Sequence, residues 1–306
     1  MSITPEDTAI SDGYAYLRPV QTSGVRPPLF CFFPGLPGAR DLADCLPKDQ
    51  PVYQFFYPNL DGALKFPAVE ELASAYVQDI RKIQVHGPYQ LCGYSKAGLL
   101  AYEAARQLLT QGETVSFLAL CETWHPRYAQ NLTLRESAQF KFLFAVDRIE
   151  KYCRNLMLGE FGNTAARARE AVAKRAKLIG WRATRFLFQS ANRAVPKSMQ
   201  TIESTAVLKG YVPKPYPNRF LLARTVDRFE MRLRDQTFGW HICAAEGVDI
   251  LFVHGDHGTM KDKPHVQSLA DKIAPLLADA PQKLKKKADL DVAGVDRLMT
   301  AFSFPH

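Results

Sequence analysis

Ser95 stands in the run Gly93-Tyr94-Ser95-Lys96-Ala97-Gly98, directly after an apolar stretch and directly before a helical period. A serine on a tight strand-to-helix turn is pushed out above the sheet edge, where its hydroxyl can attack a carbonyl carbon. Such a turn wants small residues two before and two after the serine, because larger ones would collide with the neighbouring strand and helix. Gly93 and Ala97 meet that need. The following helix offers the positive end of its dipole to an oxyanion beside Ser95.

A serine hydroxyl is a weak nucleophile without a base. Histidines occur at 86, 125, 241, 254, 257, 265 and 306. With chain order serine, acid, histidine, the base belongs on a loop just after the last strand of the sheet. Val248–Val253 reads as that strand and His254-Gly255-Asp256-His257-Gly258 as the loop, so His257 is the expected base and His254 its rival. Two carboxylates could fix the imidazole tautomer. Glu122 closes the apolar run Val115–Cys121, and Asp227 follows the weaker run Phe220–Ala223; spacing does not separate them. For the oxyanion, the backbone N–H of Lys96 is one expected donor. A second should come from the turn Pro34-Gly35-Leu36-Pro37-Gly38, where the prolines have no N–H, leaving Gly35 or Leu36. The Lys96 side chain would put a cation next to the nucleophile, in reach of a substrate or a phosphate.

The elements that must position these groups alternate. Leu29–Phe33, Val52–Phe56, Tyr89–Cys92, Val115–Cys121 and Val248–Val253 read as short buried strands, with Phe220–Ala223 weaker. Between them, helical periods run over Val69–Ile83, Ala97–Leu109 and Pro264–Leu277. This alternation predicts an α/β fold with a mainly parallel sheet covered on both faces. Residues 131–200 break the rhythm and read as helices over about 133–158 and 164–192, inserted into the α/β core. Residues from 281 read as a basic tail.

The composition is that of a globular chain: 47% of the 306 residues are hydrophobic and 23% charged, which excludes wholesale disorder. No run approaches the roughly 18 apolar residues of a membrane helix. The first fifteen residues hold Glu6, Asp7 and Asp12 and no basic residue, so no secretory signal is expected. None of the six cysteines forms a Cys-x-x-Cys pair, which argues against a zinc ribbon or a thioredoxin-type site. Cys31, Cys92 and Cys121 read as reduced core thiols, and a cytoplasmic location is expected.

The motifs closely resemble the thioesterase domains that end nonribosomal peptide and polyketide assembly lines, members of the α/β-hydrolase superfamily. The resemblance spans about residues 27–123 and 205–278. It rests on Pro28–Gly35, on Glu71-Leu72-Ala73 through Tyr76 and Ile80-Arg81, and on Gly87-Pro88-Tyr89 before Gly93-Tyr94-Ser95. It continues through Ala101–Leu108, Gln111–Val115, Tyr211–Tyr216, Gly239-Trp240, Gly255-Asp256-His257, Met260 and Pro264-His265-Val266. The family usually carries its acid as Asp about 27 residues after the serine. That position is Glu122 here, one methylene longer, and Ala97 replaces the usual second glycine.

The resemblance implies a linker over 1–26, an α/β-hydrolase domain over 27–280 with a helical lid at about 131–200, and a tail over 281–306. It implies release of an acyl, peptidyl or polyketide chain from a carrier protein through an acyl-Ser95 intermediate, by hydrolysis or cyclisation. The carrier supplies phosphopantetheine, and no metal or dissociable cofactor is required. An acyl-CoA or small-ester hydrolase is a second reading. A catalytically silent carrier-docking module, motivated by Glu122 and Ala97, is a third. Residues 13–30 resemble the segment that precedes such a domain, so the chain could be an excised terminal domain or a discrete relative.

The formal net charge is +8. Residues 131–200 carry fourteen Lys+Arg against five Asp+Glu, a net +9, and the rest carries 25 against 26, a net −1. The excess therefore belongs to the expected lid. No nucleic-acid motif accompanies it, and it suits steering of an acidic carrier protein.

Overall fold

The computed structural model describes residues 16–33, 36–56, 67–157, 207–226 except 209, and 233–280, with isolated residues at 173, 176 and 180. Seven strands form one sheet in the order β1-β3-β2-β4-β5-β6-β7. They are β1 (Leu17–Gln21), β2 (Leu29–Phe32), β3 (Val52–Phe55), β4 (Tyr89–Tyr94), β5 (Val115–Cys121), β6 (Phe220–Thr225) and β7 (Val248–Val253). β1 pairs antiparallel with β3, and the other neighbours are all parallel. Every residue of β2, β4 and β6 is buried, as in a sheet covered on both faces.

The expected elements fall into place with small shifts at their ends. α2 (Val69–Ile83) turns Val69, Leu72, Ala73, Tyr76, Val77 and Ile80 inward. Glu71 Oε2 accepts from the Ala68 N–H at its start, and Arg81 and Lys82 close its last turn. α3 (Gly98–Thr110) is buried along most of its length and packs with α2 over one face of the sheet. α6 (266–280) covers the other face through Val266, Leu269, Ala270, Ile273 and Leu277. Cys92 Sγ and Cys121 Sγ lie 3.7 Å apart in this second core, and with Cys31 all three thiols are free and buried.

Two elements depart from expectation. The turn expected at 34–38 gives way to α1 (Leu36–Cys45). Pro37 and Gly38 sit in its first turn, where a helix has no use for the amide hydrogen that proline lacks. Leu17–Gln21, within the segment expected to be a linker, is the edge strand β1. It carries Pro19 and buries only Leu17, a pattern open to an edge strand and a weak sequence signal. After β5 come α4 (Tyr128–Asn131) and α5 (Leu134–Met157), the latter matching the first helix expected after residue 131. The second, over 164–192, lies outside the described residues except for 173, 176 and 180, and the tail over 281–306 lies outside them altogether.

The motif Ala101–Leu108 is structural. Tyr102 stacks near Trp240 (4.7 Å between ring centroids) and donates to Lys214 O (2.7 Å). Glu103, 1% exposed, accepts from Arg106 (2.6 Å), Gln107 (2.9 Å) and the Tyr211 hydroxyl (2.6 Å). Burial alone would raise the Glu103 carboxyl, but the bonds from Arg106, Tyr211 and Gln107 outweigh it and hold it below its ordinary value. A depressed carboxyl contributes stability above its unfolded value near 4.5, and that stability is lost as pH falls through the folded value. Glu103→Gln is expected to cost roughly 2–3 kcal/mol at pH 7. It should also flatten the acid limb of the stability curve, as read by urea unfolding at pH 7 and pH 4.

Candidate active site

Three strand ends converge above the sheet. Ser95 follows β4 directly, with φ +53°, and opens a single 3₁₀ turn that runs into α3. The close approach of strand and helix explains the small residues. A Cβ on Gly93 would come within 2.5 Å of the Gly98 Cα, and one on Gly98 would overlap the Thr123 side chain. Ala97 is buried in the same turn. Gly98 is thus the residue that lets α3 pass the end of β5, a role the serine-centred reading did not give it.

Glu122, the residue after β5, also has positive φ (+48°) and is fully buried. Its N–H donates to Ala223 O (2.8 Å) on β6. Its Oε1 accepts from the Thr225 N–H (2.7 Å) and the Thr225 hydroxyl (3.2 Å). Its Oε2 lies 3.3 Å from His257 Nδ1. The opposite ring nitrogen, Nε2, lies 3.1 Å from Ser95 Oγ. A carboxylate can only accept, so Nδ1 carries the proton towards Glu122 and Nε2 is left to accept from the serine hydroxyl. The His257 side chain is 52% exposed while Glu122 is fully covered, so the imidazole is open to incomers and its carboxylate partner is not. The Tyr94 ring sits 5.6 Å from the imidazole. Thr123, the residue after Glu122, ties the serine turn to the chain behind it: its hydroxyl donates to Ser95 O (3.0 Å), and its own carbonyl accepts from the indole N–H of Trp240 (2.8 Å).

Of the rival residues, His254 is exposed and donates its backbone N–H to Ser268 Oγ, away from Ser95. Asp227 and Gly35 lie outside the described residues, while Leu36 opens α1. Lys96 follows Ser95 at the start of the helical turn with its side chain exposed.

A cavity of about 300 Å³ opens on the serine, lined by Ser95, Lys96, Leu99, Glu122, Trp124, His125, Pro126, Leu208 and His257. Trp124 and Pro126 escaped the sequence reading, which named His125 only among the histidines; the available signal was their place shortly after Glu122. His125 accepts from the Arg127 N–H at Nδ1 (3.2 Å), and its Nε2 lies 3.5 Å from Cys243 Sγ. Burial, with Arg127 and His241 nearby, pushes its imidazole down to about 4, so it stays neutral at pH 7. Ser95, Glu122 and Phe238, which backs Trp124, are the non-glycine residues with positive φ among the described residues. Strain of this kind gathers where a site is built.

Known proteins are similar to part of this sequence. Malpibaldin synthetase of Mortierella alpina is 41% identical over 116 residues, 37% of this chain and 2% of that protein. The dimodular nonribosomal peptide synthase of Bacillus subtilis (strain 168) is 35% identical over 116 residues, 35% of this chain and 5% of that protein. The chain thus spans only a few per cent of the length of these relatives. Among solved structures, the NocB thioesterase domain bound covalently to a fluorophosphonate nocardicin G analogue superposes with a TM-score of 0.55 at 21% identity. That match covers 86% of this chain and 99% of the NocB domain, and at such identity it speaks for the α/β-hydrolase fold. The family model for the thioesterase domain matches residues 27–277. With the six parallel strands and all the site residues described above inside that span, the chain belongs to the thioesterase-domain family of hydrolases.

Proposed function

We propose that this protein is a serine thioesterase that releases an acyl, peptidyl or polyketide chain from a phosphopantetheinylated carrier protein. The observation that carries the reading is the relay Ser95 Oγ–His257 Nε2 (3.1 Å) and His257 Nδ1–Glu122 Oε2 (3.3 Å) at adjacent strand ends. In the first half-reaction Ser95 Oγ attacks the thioester carbonyl and its proton passes to His257 Nε2. The C–S bond then breaks, and the departing pantetheine sulfur takes that proton. An ester joins the acyl group to Ser95. In the second half-reaction His257 takes a proton from water, or from a nucleophile on the chain, which attacks the ester carbonyl. The new bond releases an acid or a ring, and Ser95 regains its hydrogen. The Lys96 N–H, at the start of the helical turn, and a donor from the 35–36 segment are assigned to the oxyanion. Phosphopantetheine arrives with the carrier as part of the substrate.

The test is intact-mass detection of an acyl-Ser95 adduct after mixing with acyl-carrier protein, beside labelling with a fluorophosphonate. A well-folded protein that takes neither acyl group nor label would instead be a silent docking module. Faster turnover of the free acyl-CoA than of the same acyl-carrier protein would make it a CoA-ester hydrolase.

The basic stretch 131–200 is assigned as the lid and as the face that meets the carrier. Within it, α5 starts about a dozen residues beyond Glu122, and the sequence of α5 holds Arg135, Lys141, Arg148, Lys151 and Arg154. Electrostatic steering fades as salt shortens the screening length from about 30 Å at 0.01 M to about 8 Å at 0.15 M. Between those salt concentrations, kcat/KM for the carrier-bound substrate should fall several-fold, while that for a small uncharged thioester stays level. Equal salt responses for the two substrates would remove the lid from carrier docking.

A further inference from the structure

Trp124 lines the cavity that Ser95 opens on, with the apolar side chains of Leu99, Pro126 and Leu208. It is only partly buried, and what holds it is unusual. Its indole lies flat on the Phe238 ring, 4.0 Å between centroids and 9° between planes. The other face of the stack is closed by the fully buried Arg224, whose guanidinium carbon sits 4.0 Å from the Phe238 centroid. Tyr128 and Phe140 meet the indole edge-on at 4.9 and 6.1 Å.

Phe238 is itself held in a conformation that costs energy, with φ +53°. Asp235 clasps the turn by accepting from the N–H groups of Thr237 (2.8 Å) and Gly239 (2.7 Å). The N–H of His125, the residue after Trp124, donates to Phe238 O (3.0 Å). Arg224 donates to Gln236 O and Oε1, both at 2.7 Å, so the loop is tied to β6 as well. β6 therefore supports two features of the site: Thr225 fixes the acid, and Arg224, one residue earlier, fixes the aromatic wall through Phe238. An aromatic ring needed only to fill the core would not require a strained backbone behind it and an open cavity in front of it.

We infer that Trp124 is the specificity-determining wall of the acyl subsite, and that the subsite takes an apolar, uncharged acyl group whose bulk is limited by the indole. This rests on the thioesterase reading above and names its substrate class. The size of the cavity, about 300 Å³, lies at the small end of ligand pockets. The neutral His125 adds no charge to its lining. Lys96 brings a cation to the same lining, but beside Ser95 and with its side chain exposed, so a charged acyl terminus set against Leu99, Leu208 and Trp124 would lose its hydration among apolar side chains.

The experiment compares kcat/KM for N-acetylcysteamine thioesters of butyric, phenylacetic, naphthylacetic and succinic acid, with fluorophosphonate labelling of Ser95 in parallel. The wild type should favour butyryl over succinyl by at least about tenfold. Trp124→Ala should raise the naphthylacetyl-to-butyryl ratio by at least about tenfold, and Trp124→Phe, which keeps a ring on Phe238, should restore the wild-type order. Trp124→Leu carries the same comparison if the alanine variant does not fold. Turnover with an unchanged ratio in these variants, or with succinyl equal to butyryl, overturns this inference alone. Labelled Ser95 without turnover of any of the apolar thioesters overturns the substrate class. Absence of both turnover and labelling overturns the thioesterase reading with it.

Discussion

Ser95→Ala should reduce thioester turnover by roughly a thousandfold or more while leaving the protein folded. The hydroxyl oxygen is the only heavy atom lost, and it is hydrogen-bonded to the half-exposed His257. His257→Ala should fall to a similar level. Its imidazole is 52% exposed, so its loss opens no buried cavity, and the far-ultraviolet spectrum and melting transition should stay in place. Because the two groups act on one proton, the double variant should be no worse than either single variant. Steady-state kinetics on one acyl thioester measures all three. A His257→Ala protein with wild-type rate would remove the base from the mechanism and return attention to His254.

The second large effect belongs to Glu122. In Glu122→Gln one amide atom must face Thr225, whose N–H and hydroxyl both meet Oε1, and the other must face His257 Nδ1. Thr225 requires the amide oxygen. The NH₂ then points at Nδ1, and a donor there favours the imidazole tautomer that presents Nε2–H, not a lone pair, to Ser95. A wrong tautomer in a triad of this design costs on the order of 10³–10⁴ in kcat. Glu122→Asp keeps the charge but is one methylene shorter, and it cannot hold both contacts in their present places. An intermediate loss, on the order of tenfold to a hundredfold, is expected. The outcome that overturns the assignment is an inactive Asp227→Ala beside a fully active Glu122→Ala.

How much of this could be read from the chain depends on how local each cause is. The stripe from Val69 to Ile83 predicts α2 to the residue, because an amphipathic helix on a sheet carries its own pattern. Ser95 and His257 were legible because each sits at a strand end that the sequence marks on its own. Glu122 and Asp227 stayed open because their difference lies in which of them meets Thr225 and His257, contacts 103 and 135 residues away for Glu122. α1 was hidden by Pro34, Gly35, Pro37 and Gly38, residues that read as a turn, although proline in the first turn of a helix is costless. β1 was hidden because an edge strand buries one side chain of five and tolerates proline. The stack Arg224–Phe238–Trp124 joins three segments through ring faces, and no periodicity in the sequence encodes it.

The strand order has a consequence for how the site fails. Ser95 and Glu122 hang from β4 and β5, which lie inside the sheet with neighbours on both sides. His257 follows β7, the outermost strand at one end among the described residues, where it pairs with β6 alone and is partly open to solvent along its length. Outer strands open in sub-global fluctuations that the middle of a sheet does not share. Each such opening carries the imidazole away from a nucleophile and a carboxylate that stay where they are. On the proposed mechanism, fraying of this one outer strand would disperse the triad, and on heating, thioester turnover should be lost before the melting transition of the protein.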